Sequence, residues 1–216
     1  AFAIAVEARD FAMAHDVPLV VAWSLSLIGL VHSNSGNHSE ALSCSLQALD
    51  CYRGTGHRID EGNMLNTIAS IYHELGDTDR AIVNYEAAMN ANAQLNRPDF
   101  DAITLANVAS LRAERGEFDT AIEIGERALA LCRMHAVGFL PEVLAALAGA
   151  YGGRGEFDQA RTLLNAALAM LDASSVSFDD AVRSSVELAF GRVELSAKND
   201  AEALSHFCRA LGLAEV

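Results

Sequence analysis

Apolar residues along the chain advance in steps of three and four that break off at regularly placed glycines. Leu65, Ile68, Ala69 and Tyr72 precede Gly76, and Ala81, Tyr85 and Ala88 follow it. Such steps put each set on one side of a helix, so the stretch predicts two amphipathic helices joined by a tight turn. The arrangement recurs as Leu27-Ile28-Gly29 before Gly36 and Ala41, Asn107-Val108-Ala109 before Gly116 and Ala121, and Ala146-Leu147-Ala148 before Gly155 and Ala160. The four turn glycines are 40, 40 and 39 residues apart. Self-similarity at this period predicts stacked helix pairs, each burying its apolar face on its neighbours, in a chain that presents a surface rather than a reaction centre.

The residues around the glycines fit that reading. Glycine suits the position just past a helix, where the backbone turns left-handed. Asn37, Asp77 and Glu117 then place acceptors or negative charge at the next helix start. Ala41, Ala81, Ala121 and Ala160, and again Ala48, Ala88, Ala128 and Ala167, let paired helices approach closely, with Tyr85 and Leu164 filling the gaps. Pro18, Pro98 and Pro141 fall just ahead of a first helix, where a missing N–H costs nothing. Ala203, Phe207 and Ala210 mark a degenerate fifth unit whose turn, Lys198-Asn199-Asp200, lacks the glycine, with Gly191 at the small position of its first helix. Ala1, Ala5 and Ala8 match a second helix, so the chain is expected to begin inside a repeat, as part of a longer protein, and to end at Val216 without a polar capping helix.

The pattern resembles the tetratricopeptide repeat, and Leu65-Asn66-Thr67-Ile68-Ala69-Ser70-Ile71-Tyr72-His73-Glu74-Leu75-Gly76-Asp77 matches its first helix and turn closely. The period is nearest to the long-helix variety of kinesin light chains, Leu-Gly-Asn-repeat scaffolds and many bacterial signalling proteins. The resemblance implies an all-α fold, a right-handed α-solenoid superhelix of antiparallel helix pairs with about 11 helices. Its expected parts are the second helix of a truncated repeat over 1–15, repeats over 18–55, 59–96, 99–135 and 139–173, and the degenerate repeat over 179–216.

Composition narrows the partners. The chain has 216 residues, 51% hydrophobic and 20% charged, with 3 prolines, which is ample material for a continuous core. Its formal net charge of −14 comes from 29 acidic against 15 basic residues, and the basic ones are scattered, which argues against nucleic acid or an anionic membrane as partner. One lysine beside many arginines, with abundant alanine, points to a bacterial GC-rich genome. Cys44, Cys51, Cys132 and Cys208 form no Cys-x-x-Cys pair and read as small buried hydrophobes in a reducing, cytoplasmic setting. The apolar run from Val17 to Val31 is too short to span a bilayer and reads as a buried helix.

In the family, first helices line the concave side and hold the ligand. Carried onto this chain, the resemblance places a peptide-binding groove at Trp23, Ser26, Asn63, Asn66, Ser70, His73, Ile103, Ser110 and Glu114, and further along at Leu30, Ala106, Glu142, Ala145, Gly149, Ser185 and Arg192. Asn66 resembles the asparagine that contacts a peptide backbone in the long-helix families; its amide both donates and accepts. Trp23, the sole tryptophan, either anchors a partner or packs on the helix starting at Ala1. His73 and Glu74 lack a nucleophile or orienting group and read as groove lining rather than an acid/base pair. The three glycines inside the helical pattern of Gly149-Ala150-Tyr151-Gly152-Gly153-Arg154-Gly155 mark either close approach by a neighbouring helix or ligand or a flexible point, and close packing is the reading preferred. Gly54-Thr55-Gly56 lies between helices and matches no phosphate loop, and the seven histidines never pair at i, i+4, so no cofactor or metal is expected.

These features predict a non-enzymatic protein-protein interaction scaffold that binds a peptide or helical segment of another protein, or of its own parent chain, in the concave groove. The absence of lysine before Lys198 excludes a clamp for terminal carboxylates. The alternative is a regulatory input domain of a multidomain bacterial signalling protein, such as a nucleotide or diguanylate cyclase, transcription regulator or kinase. Apolar Phe2, Ile4 and Val6 at the open front end predict self-association into a homo-oligomer.

Overall fold

The computed structural model describes residues 2–95, 97–135, 137–173 and 180–212. The positions of Ala1 and Val216, on which the expected front and rear ends turn, lie outside the described residues. Eleven α-helices and no strand occur among those described. Backbone contacts gather the chain into two compact units, residues 1–97 and 98–216.

The first unit holds α1 (Phe2–Ala14), α2 (Pro18–Asn34), α3 (His38–Thr55), α4 (Arg58–Glu74) and α5 (Thr78–Gln94), each packed on the next. The second holds α6 (Pro98–Glu114), α7 (Phe118–His135), a 3-10 turn (Val137–Phe139), α8 (Leu140–Arg154), α9 (Phe157–Ala173), α10 (Asp180–Ser196) and α11 (Asp200–Ala210). There too each helix packs on its successor, and α8 also lies against both α6 and α10, so three first helices stand side by side. The alanines at 41, 81, 121 and 160 and at 48, 88, 128 and 167 are all 0% exposed, with Tyr85 and Leu164 buried between them.

Every turn within a pair closes the same way. Gly36, Gly76, Gly116 and Gly155 have φ of 74°, 78°, 77° and 91°. At each, the next residue's N–H returns to a carbonyl five residues back, as in Asp77 N to Tyr72 O at 2.8 Å. The fifth pair keeps this turn without glycine: Lys198 has φ 64°, and Asn199 N donates to Glu194 O at 2.9 Å. The expected helix starts differ from one another. Asp77 Oδ1 accepts from Arg80 N at 3.1 Å, whereas the Asn37 side chain makes no capping bond and Glu117 pairs with Arg112 and Arg115 at 2.7 and 3.0 Å.

The Val17–Val31 run is not fully buried: Trp23, Leu27 and Leu30, one turn apart on α2, are 50%, 41% and 51% exposed. No helix among the described residues is long and apolar enough to cross a membrane. Of the cysteines, Cys132 and Cys208 are buried as expected, but Cys44 and Cys51 are half-exposed.

The glycine run of α8 separates into two kinds. A Cβ on Gly152 would come within 2.8 Å of Val193 Cγ2, and one on Gly153 would clash with the edge of the Phe118 ring, so both are sites of close packing. At Gly149 no neighbouring helix comes close: a Cβ there meets nothing within 4 Å. Gly149→Ala therefore gains helix propensity with no clash, about 0.5–1 kcal/mol, while Gly152→Ala forces a stiff valine aside and loses about 1–3 kcal/mol. Thermal melts of the two variants should move in opposite directions; a shift of the same sign in both would refute this assignment.

Candidate binding groove

The side-by-side packing of α6, α8 and α10 leaves a cleft of about 490 Å³ between them. Its lining is mostly small: Ala106, Ser110 and Ala113 from α6, Ala145, Ala146, Gly149, Gly152 and Gly153 from α8, Ser185, Ala189 and Ser196 from α10. Ile103, Leu188, Val193 and Phe118 supply apolar surface, and Asn107 an amide. Of the residues the resemblance assigned, Ile103, Ala106, Ser110, Glu114, Glu142, Ala145, Gly149, Ser185 and Arg192 all line this cleft. The sequence reading passed over Leu188, Ala189 and Ser196, although they sit three, four and eleven residues past Ser185, on the same helical face. Phe118 had no such signal, because it enters from the start of a second helix.

Three charged residues line the cleft, and they are unequally supported. Arg192 on α10 is exposed and makes no ion pair among the described residues. Glu114 is exposed, with a partner of its own. Glu142, in the first turn of α8, is half-buried; its carboxyl takes a hydrogen bond from its own backbone N–H, but Oε2 is covered and meets no donor among the described residues. Burial pushes its carboxyl above the usual glutamate range. Deeper acids in the same unit are compensated. Glu194, 4% exposed, accepts from Arg161 Nε at 2.6 Å and Nη2 at 2.8 Å and from Asn199 Nδ2 at 2.6 Å. Those bonds, Arg161 first, hold it below the usual range. Glu187, also 4% exposed, lies 2.6 Å from His206 Nδ1 and 3.3 Å from Arg209 Nε.

In the first unit, the assigned residues lie on α2 and α4. Trp23 reaches α4: its Nε1 donates to Asp60 Oδ2 at 3.1 Å, and that oxygen lies 2.8 Å from His57 Nδ1. Ser26 Oγ donates to Ala22 O at 2.9 Å, which leaves Tyr52 O–H to donate to it at 2.9 Å. Ser70 Oγ meets Tyr85 OH at 3.1 Å. Both hydroxyls thus bind within the fold. Asn63, Asn66 and His73 are half-buried, the last two with contacts of their own. Glu74 Oε2 lies 2.9 Å from His38 Nδ1. Among the described residues no cluster of His, Cys, Asp and Glu could hold a metal ion.

Glu142 has a measurable signature. A carboxyl whose folded-state pKa is raised lends its stability below the ordinary glutamate range and loses it as pH climbs through the raised value. Glu142→Gln, which does not titrate, should melt higher than the parent at pH 7–8, with the gain shrinking toward pH 4. A gain independent of pH would show that the carboxyl is not under this strain.

A family model described as tetratricopeptide repeat matches residues 20–94 and again 60–134. No sequence among curated proteins matches significantly. Among solved structures, BtubC from P. vanneervenii is 21% identical at a TM-score of 0.69, covering 98% of this chain and 88% of that one. Nearly identical kinesin light chain TPR-like repeats from Podosopora anserina are 17% identical at 0.58, covering 88% and 92%. Aspartyl phosphate phosphatase F from Bacillus subtilis is 15% identical at 0.67, covering 90% of this chain and 60% of that one. The identities are low, and the shared feature is the fold. The repeated pairs, their left-handed turns and the matched residues together establish that the chain belongs to the tetratricopeptide repeat family.

Proposed function

We propose that this chain is a protein-interaction module that holds a segment of another protein, or of its own parent chain, against its first helices, with binding rather than catalysis as its role. The observation that carries this reading is the cleft between α6, α8 and α10. Its small lining lets an incoming backbone come close to the helices, and Ser110, Ser185, Ser196 and Asn107 offer donors and acceptors to peptide groups. In the first unit, Trp23, Leu27 and Leu30 offer an exposed apolar stripe with a rigid aromatic anchor, beside which Asn63, Asn66 and His73 are the further contact positions. A net charge of −14 favours a neutral or basic partner.

The chain is also proposed to meet a second copy of itself through α1. That helix leaves Ile4, Phe11 and Met13 exposed at 71%, 65% and 64%, besides the Phe2 that the sequence singles out. Val6 is half-buried and contributes less.

In pull-downs with the chain as bait, Gly149→Leu, which fills the cleft, should reduce capture of a partner held by the second unit roughly tenfold or more, and Trp23→Ala and Asn66→Ala should do the same to a partner held by the first unit. Capture undiminished by Gly149→Leu would refute the cleft as the binding site. Sedimentation at high micromolar concentration should reveal self-association that Ile4→Asp abolishes; a strict monomer would refute the α1 contact.

A further inference from the structure

Two residues of α8 that line the cleft are poor choices for the fold alone. Gly149 sits inside a helix, where glycine is unfavourable, and no neighbour requires it, since a Cβ there would point into open space. Its neighbour Gly152, filled by Val193, shows what a glycine required by packing looks like in the same helix. A missing side chain that no part of the chain exploits leaves room for a backbone from outside. Glu142 lies on the same face, seven residues earlier, which is two helical turns. One of its carboxyl oxygens is covered with no donor among the described residues. A covered carboxylate oxygen is costly until a donor or counter-charge reaches the group. Elsewhere in this unit the fold supplies that counter-charge, as Arg161 does for Glu194. In the cleft it does not: Arg192 lines the same space without pairing with Glu142.

Resting on the cleft as the binding site, we propose that its occupant is an extended protein segment whose backbone lies against Gly149 and whose lysine or arginine side chain pairs with Glu142. Charge complementarity selects this occupant. A purely apolar segment would desolvate the Glu142 carboxyl further without a counter-charge, and an acidic side chain at that point would be repelled by it. A helical ligand would hold its backbone away from the cleft floor behind its own side chains, wasting the gap at Gly149.

Selection of a random twelve-residue phage-displayed peptide library on the full chain tests this, with the Gly149→Leu chain as counter-selection. Peptides that bind the parent and not the Leu variant should carry Lys or Arg at one fixed position. Replacing that residue by norleucine, or using Glu142→Gln, should weaken binding tenfold or more, and combining the two should weaken it little further. Cleft-dependent peptides lacking a basic residue, or binding Glu142→Gln at full strength, overturn the proposal and leave the cleft standing as a binding site. Binders indifferent to Gly149→Leu, or no binders at all, overturn both. Glu142→Gln is nearly isosteric, so its comparison holds even should the Leu variant fold poorly.

Discussion

Helices in this chain stand close because the residues at their crossings have almost no side chain. Eight alanines with no exposed surface mark the second helices, and glycines do the same work where a larger group must be accommodated from the other side. Gly152 receives Val193, which sets α8 against α10; Gly125 receives Leu147, which sets α7 against α8; Gly191 receives Phe207 within the last pair. Interiors at this density tolerate neither a void nor an added methyl cheaply, so the helix spacing, and with it the width of the cleft, follows from these few contacts.

Charge is distributed under the same constraint. Where α10 turns a carboxylate inward, a neighbouring helix or the following turn brings an arginine, a histidine or an asparagine to it, as at Glu194 and Glu187. The pairs join helices across the unit: Arg161 of α9 to Glu194 of α10, and His206 of α11 to Glu187. Glu142 differs in lining the open cleft, where no other described residue supplies a donor to its covered oxygen. Its strained carboxyl and the empty space over Gly149 belong to the same helix face.

Much of the fold was legible from residue spacing because the determinants are local. A glycine fixes a turn, and steps of three and four fix which side of each helix is buried; both are visible without knowing what packs where. The residues lining the cleft were assigned through the resemblance, which puts the ligand on first helices, and not through spacing alone. What was hidden depends on a neighbour's side chain. Gly149 and Gly152 look alike in sequence, and only Val193 distinguishes them. Trp23 reads either as an anchor for a partner or as packing on the first helix, and nothing in its spacing reveals that Asp60, 37 residues away, takes its indole N–H. Ser26 and Ser70 read as groove hydroxyls until tyrosines from second helices claim them.

The turn at Lys198 has a wider bearing. It closes with the same two backbone hydrogen bonds as the glycine turns, 3.1 Å to Leu195 O and 2.9 Å to Glu194 O, although a lysine sits in the left-handed position. The turn is thus specified by the carbonyls it satisfies, and glycine only makes it easier. A repeat can lose its signature residue and keep its geometry, so counting units by their glycines undercounts the helix pairs that an array of this kind contains.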